Sequence, residues 1–313
     1  MKIYNLIING KKYSYINATI KIAKNISIKK STSIGPVESQ AKAKKIEVFI
    51  KKLKKEESKK RSIYWRKHIK DPKFKKYASI EKIEGMRSNL IWDIEKIGEF
   101  AKLKIETESQ IEFIINSNQL EGSKIPRVKV EEQILNPSRK IDAESKNTVK
   151  AIYFANSIFR FGPILHIKKL QELLLAHEPE KTGIRTANII VGNSEVVKWE
   201  NIKKELKLLI DKYRKINKRI YPPKLAFDFY YHFERIHPFL DGNGRTGRLI
   251  MNRILKDNGY PPIIIWNQNR VAHMSAFEKR IEGKSEYFYK FMTRQLLKSY
   301  LFFQKELKGI DLI

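Results

Sequence analysis

The chain has 313 residues and 42% hydrophobic content, enough for one large domain or two modest ones. It holds no cysteine, which excludes disulfides and thiolate zinc sites and fits a reducing compartment; with no leader-like N-terminus and no apolar run near the ~20 residues of a membrane span, a soluble cytoplasmic protein without a membrane partner is expected. Sixty-four Lys and Arg against 34 Asp and Glu give a net charge of +30, which keeps a nucleic-acid partner open, although the lysines are spread along the chain rather than gathered on one face.

Residues 2–8 and 11–17 are rich in β-formers and flank Asn9-Gly10, a strong hairpin signal, and 26–33 offers a third strand before Gly35-Pro36. A small antiparallel N-terminal sheet is predicted. From Glu38 to Lys60 the sequence is Lys/Glu-rich and helical, with Ile46, Phe49, Ile50 and Leu53 as its apolar stripe, and Asp71-Pro72 breaks it. From Ser79 to Asn116 apolar residues recur at three and four, among them Ile83, Leu90, Ile94, Ile97, Phe100 and Ile111, which predicts two or more helices with a boundary near Thr107.

Residues 129–159 read as helical, interrupted at Pro137 and stopped by Phe161-Gly162-Pro163. A helix over 167–176 precedes the loop Glu178–Gly183, and the short β-rich segment from Ile184 turns at Asn193-Ser194. Residues 199–217 are helical, Pro222-Pro223 opens a helix over 224–236, and 270–306 is helical and aromatic-rich. The expected organisation is a β-rich module at 1–35, a Lys-rich helical connection at 36–100 and a large domain at 101–313. The fold class is mainly α, with a core of about six to eight helices.

The densest chemistry lies in His237-Pro238-Phe239-Leu240-Asp241-Gly242-Asn243-Gly244-Arg245-Thr246-Gly247-Arg248. Two glycines flanking an Asn permit positive φ and expose consecutive N–H groups. The helix that follows, ended by Gly259 and Pro261, puts its N-terminus at this loop, where an anion is favoured. Arg245 and Arg248 offer forks for phosphate oxygens. Asp241 suits Mg²⁺ shared with substrate phosphates, and His237 can take a proton near neutral pH.

This segment resembles the signature of the Fic (filamentation induced by cAMP) family, H-x-F-x-(D/E)-G-N-G-R-x-x-R, at every defined position. The resemblance extends over Leu170 to Met292 and implies a Fic-type helical bundle with a short β-hairpin flap. It also implies a protein adenylyltransferase, moving AMP from ATP to a Tyr, Ser or Thr hydroxyl of a target protein. His237 would then be the general base, with Asn243 and Arg245 also catalytic. Gly242, Asn243, Gly244, Arg245 and Arg248 would hold the nucleotide, and Asp241 the Mg²⁺ or Mn²⁺. Ile184, Arg185, Thr186, Ala187, Asn188, Ile189, Ile190 and Val191 fall at the flap that docks an extended target peptide. A second stretch, Ser117-Asn118-Gln119-Leu120-Glu121-Gly122, resembles the family's inhibitory motif (S/T)-x-x-x-E-(G/N), here on a helix near 107–121. Ser117 and Glu121 would restrain the enzyme, with the Glu121 carboxylate bidentate on Arg248 in place of a phosphate. An enzyme that chiefly removes AMP, with Glu121 placing a water, and a nucleic-acid-binding regulator acting through the basic N-terminal region stay open, as does a homodimer.

Overall fold

The computed structural model describes residues 1–23, 25–37, 42–139, 141–157, 164–192, 194–216 and 220–310. The expected helix start at Glu38, the stop at Phe161-Gly162-Pro163, the turn residue Asn193 and the helix end at Asn217 lie outside them. Strands β1 (Lys2–Ile8) and β2 (Lys11–Ala23) pair antiparallel across Asn9 and Gly10, whose φ values of +51° and +74° are what a two-residue hairpin turn demands. β3 (Ile26–Pro36) pairs antiparallel with β2, giving the order β1-β2-β3. β2 outruns its expected end because the alternation continues through Ile16, Ala18, Ile20 and Ile22, all buried. That face packs on Phe49, Ile50 and Leu53 of α1 (Lys42–His68) and on Trp92 of α3 (Ile80–Ile94).

Twelve α-helices lie among the described residues, more than the six to eight expected, because single glycines and short breaks divide stretches that read as continuous. Between α1 and α3, α2 (Pro72–Tyr77) is capped by Asp71, whose carboxylate accepts the Phe74 N–H at 3.0 Å. The boundary expected near Thr107 lies instead at residues 95–98, so that α4 runs unbroken over Glu99–Leu120. A β-branched residue lowers helix propensity only slightly, whereas Gly98 is extended at the helix start. Phe100, which fitted the apolar stripe, is 83% exposed.

Helices α5 (Arg127–Leu135), α6 (Ala143–Ser157), α7 (Ile164–Leu174) and α8 (Ile202–Ile216) surround α9 (Pro222–Ile236) and α10 (Asn243–Asp257), the pair joined by the signature loop. The aromatic-rich end divides into α11 (Arg270–Ile281) and α12 (Ser285–Ile310) at Gly283, whose φ is +81°. One apolar core runs from Phe74 and Ile83 through Ile114 of α4 and Phe229 of α9 to Ile254 of α10 and Met292 of α12. Among the described residues no helix is long and apolar enough to cross a membrane.

A buried polar joint ties α1 and α3 to this core. Glu84 is fully buried, ion-paired with Arg61, and accepts from Tyr221 Oη at 2.9 Å and Tyr260 Oη at 2.5 Å. Arg87 donates to the Gly259 carbonyl at 2.8 Å and to Glu57 at 2.9 Å. Burial alone would raise the Glu84 pKa, but Arg61 and Arg87 outweigh it and hold the carboxyl ionised. Glu84→Ala leaves Arg61 uncompensated and two tyrosines without their acceptor. A loss of about 3–5 kcal/mol is expected, measured as the urea midpoint at constant m. A change under about 1 kcal/mol would contradict a joint of this kind.

Candidate active site

Helix α9 delivers His237. Its last residues keep helical geometry until His237 turns left-handed at φ +48°, with its N–H still bonded to the Phe233 carbonyl at 2.9 Å. Pro238 disfavours a helical conformation at the residue before it, so the turn falls at the histidine. The following loop is braced from inside. Phe239 is fully buried, and Asn243 Oδ1 accepts the Phe239 N–H at 3.0 Å while its Nδ2 donates to the Phe239 carbonyl at 2.9 Å. The Asn243 side chain, expected to serve the nucleotide, is thus turned inward and closes the loop.

Gly242 takes φ +81° as the residue before α10, whose hydrogen-bond ladder begins with Thr246 N–H to the Gly242 carbonyl at 3.0 Å. The N–H groups of Asn243, Gly244 and Arg245 precede that ladder, the place on a helix where an anion is favoured. Gly244 is itself helical, not a second positive-φ turn. Its need is space: a Cβ there would lie 2.1 Å from Glu121 Oε1 and 2.8 Å from Arg248 Nη1.

The two arginines are both buried and differ in their partners. Arg248 donates from Nε to Ser117 Oγ at 2.9 Å, from Nη2 to the Ser117 carbonyl at 2.8 Å and to Glu121 Oε1 at 2.6 Å, and from Nη1 to Tyr230 Oη at 3.4 Å. The motif on α4 therefore meets the signature, with Glu121 in one hydrogen bond rather than a bidentate fork, because Ser117 takes the Nε edge. Arg245 spans Glu144 at 3.0 Å and Asp241 Oδ1 at 3.1 Å, and its Nε has no partner. Asp241 Oδ1 also accepts the Gly242 N–H, which leaves Oδ2 without a protein hydrogen bond among the described residues.

Among the described residues no group of three or more metal-ligating side chains occurs. A single carboxylate with one oxygen to spare still fits Mg²⁺, which commonly takes one or two carboxylates and completes its shell with phosphates and water. Burial pushes the His237 imidazole below its ordinary pKa, against the Glu234 carbonyl and the Glu121 and Asp241 charges that favour the proton. The ring is therefore neutral at pH 7, with one nitrogen lone pair open to a proton. His232 and His273, without an assigned role, are pushed to about 4 and about 3 by burial.

The flap differs from the expected strand. Only Ile190–Val191 (β4) is strand, paired antiparallel with Ser194–Glu195 (β5), and Ile190 is 71% exposed. Ile184 makes an isolated antiparallel bridge with Phe239, and Arg185 is buried. Its Nε donates to the His237 carbonyl at 2.8 Å and its N–H to the Pro238 carbonyl at 3.0 Å. Arg185 thus holds the signature loop rather than facing a peptide. Gln171 helps, donating to the Asp241 carbonyl at 3.2 Å and accepting the Gly183 N–H at 3.0 Å.

Sequence reasoning missed Glu144, Tyr230 and Glu234. For Tyr230 and Glu234 a signal existed: with His237 they fall at i, i+4 and i+7, one polar line beside the apolar face of α9. Glu144 on α6 carries none.

Residues 163–255 match the Fic/DOC family. The chain is 41% identical over 90 residues to Protein adenylyltransferase Fic of Aedes aegypti, covering 28% of this chain and 18% of that protein. With Protein adenylyltransferase Fic of Nematostella vectensis it shares 28% identity over 201 residues, 60% of this chain and 47% of that protein. The chain thus spans less than half the length of these relatives. Its fold is similar to a Fic domain containing signaling protein from Bacteroides thetaiotaomicron, with a TM-score of 0.62 at 19% identity over 72% of this chain and 97% of that one. It is also similar to residues 134–508 of Fic-1 from C. elegans, with a TM-score of 0.61 at 18% identity over 76% and 82% of the two chains. The signature loop and the start of α10 lie within the residues that match the Fic/DOC family, and these solved structures share the fold.

Proposed function

We propose that the chain transfers AMP from ATP to a hydroxyl side chain of a target protein, and that Glu121 restrains it. The observation that carries this reading is the convergence, on one twelve-residue segment, of a neutral, partly buried imidazole, three N–H groups outside the helix ladder and an arginine held by a displaceable carboxylate. His237 takes the target hydroxyl's proton as its oxygen bonds to the α-phosphorus. The bond from that phosphorus to the bridging oxygen breaks, and pyrophosphate leaves. Amides at the start of α10 stabilise the charge on the α-phosphate, and Arg248 holds the leaving group once Glu121 withdraws. Arg245 reaches phosphate by exchanging one of its two carboxylate partners. Asp241 Oδ2 would hold Mg²⁺ or Mn²⁺, which would neutralise charge on the phosphates. The target's backbone pairs with the exposed edge of Ile190–Val191.

The carboxylate of Glu121 lies over the first turn of α10, as its clash with any Cβ on Gly244 demands. An anion site already filled by a carboxylate is closed to phosphate. In this reading α1 to α3 act as one unit with the signature helices, since they share a core with them, and the N-terminal sheet packs on α1 and α3.

The test is incorporation of α-labelled ATP into target proteins of a cell lysate. With Mg²⁺ and Mn²⁺ chelated, or with Asp241→Ala, labelling is expected to fall about a hundredfold, several kcal/mol of charge neutralisation. Undiminished labelling in excess chelator would remove Asp241 and the metal from the reaction.

A further inference from the structure

Behind the catalytic imidazole a carboxyl group one turn earlier on α9 faces the ring. Glu234 Oε2 lies 3.7 Å from His237 Nδ1; among the described residues neither Nδ1 nor Glu234 Oε1 reaches a partner in good hydrogen-bond geometry, and the Glu234 backbone carbonyl is the other acceptor beside the ring. The two side chains are only 16% and 15% exposed. The space for this carboxyl is built into the neighbouring helix. A Cβ on Gly247 of α10 would lie 3.1 Å from Glu234 Oε1 and 2.8 Å from the Tyr230 ring. A mid-helix glycine is costly, so a reason for it is expected, and seating Tyr230 and Glu234 against α10 is one.

We propose that Glu234 is a positioning residue for the base: its carboxyl oxygen accepts the Nδ1 proton of His237 and leaves Nε2 free to receive the hydroxyl proton. The inference rests on the reading of His237 as the base of AMP transfer. Closing 3.7 Å to hydrogen-bond length takes a side-chain adjustment of about 1 Å, and catalytic hydrogen bonds are commonly long before substrate binds. A base oriented by a third group is the general logic of activated nucleophiles. Either protonation state of Glu234 offers the acceptor. Burial, with the Glu121 carboxylate adding to it and Arg248 opposing, pushes the Glu234 pKa up to about 8. Glu121 of α4, Arg248 of α10 and Tyr230, backed by His273 of α11, are the charged and titratable groups around it.

The test uses the full chain carrying Glu121→Gly, labelled with ¹⁵N-histidine; with six histidines in the sequence, the His237 signals are assigned by their loss in His237→Asn. Glu234→Met removes the acceptor while roughly keeping the side-chain volume. It is expected to move the ring from protonated Nδ1 toward protonated Nε2. It should lower kcat about 10- to 100-fold, with KM for ATP within about twofold. Glu234→Gln retains an acceptor oxygen and is expected to restore both the tautomer and most of kcat. An unchanged tautomer in Glu234→Met, or a Glu234→Gln protein no better than Glu234→Met, overturns the proposal. If none of the proteins transfers AMP, the reading of the site as an AMP transferase fails and the tautomer alone decides the role of Glu234.

Discussion

His237→Ala abolishes AMP incorporation while ATP binding persists. The expected fall is at least the 10²–10⁴-fold that a positioned base contributes. The nucleotide contacts belong to other groups, namely the amides at the start of α10 and the arginines of its first two turns, so the affinity for ATP should change by less than about threefold. Because burial lowers the His237 pKa, the base is free through neutrality, and the rate of the unmutated enzyme should fall only as pH drops below the ordinary imidazole value of 6.5. Stability follows the same sign. A histidine buried in its neutral form contributes stability that is present above its unfolded pKa and lost as pH falls below it toward the folded one. His237→Ala should therefore unfold with a flatter acid limb. Alanine at φ +48° keeps roughly 1 kcal/mol of left-handed strain. His237→Gly relieves it and should melt higher with the same loss of transfer. Transfer at wild-type rate in either protein would take His237 out of the chemistry.

Much of this site could be read from residue types, and its exceptions share a physical cause. The loop sequence announced a turn and the start of a helix, because glycine and proline act through local backbone chemistry. Local sequence does not say which way a side chain faces within a loop. Asn243 and Arg185 both read as substrate contacts, yet each spends its hydrogen bonds on loop carbonyls and amides. Buried backbone groups need partners, and the loop's lie closer than any ligand. Glu144 reaches Arg245 across 101 positions of sequence, a pairing set by the packing of α6 on α10. In the fold, helical periodicity placed the apolar faces but not the breaks. The stripe through Ile94, Ile97 and Phe100 runs unbroken across residues 95–98, where α3 has ended and α4 has not begun, because periodicity records faces and is blind to the backbone of single residues. The β2 strand shows the converse: its alternation of buried residues runs on to Ile22, past the end expected at residue 17.

Glu121→Gly is expected to raise AMP incorporation, self-modification included, by about tenfold or more, since phosphate and Glu121 compete for Arg248 and an occupant removed from the site no longer opposes ATP. The cost in stability should be modest. A hydrogen bond between charged groups is worth about 1.5–3 kcal/mol when buried, and the Glu121 side chain is 31% exposed, which reduces that toward ~1 kcal/mol. Arg248 also keeps Ser117 Oγ, the Ser117 carbonyl and Tyr230 Oη, so it is not left bare. The melting temperature without nucleotide should drop by about 2–4 °C. Saturating ATP should raise it further in the variant than in the wild type, because a ligand stabilises in proportion to its affinity for the folded state. Arg248→Ala frees the site of Glu121 as well, but it removes the phosphate anchor and should not increase labelling. A Glu121→Gly/His237→Ala protein should be silent, which ties the gain to this site. The same variant separates the two directions of the reaction. If Glu121 serves to place a water that removes AMP, release from a modified target stops when it is replaced. If it only blocks ATP, release is unaffected and forward labelling alone changes. Equal labelling by wild type and Glu121→Gly would show that the contact with Arg248 restrains nothing.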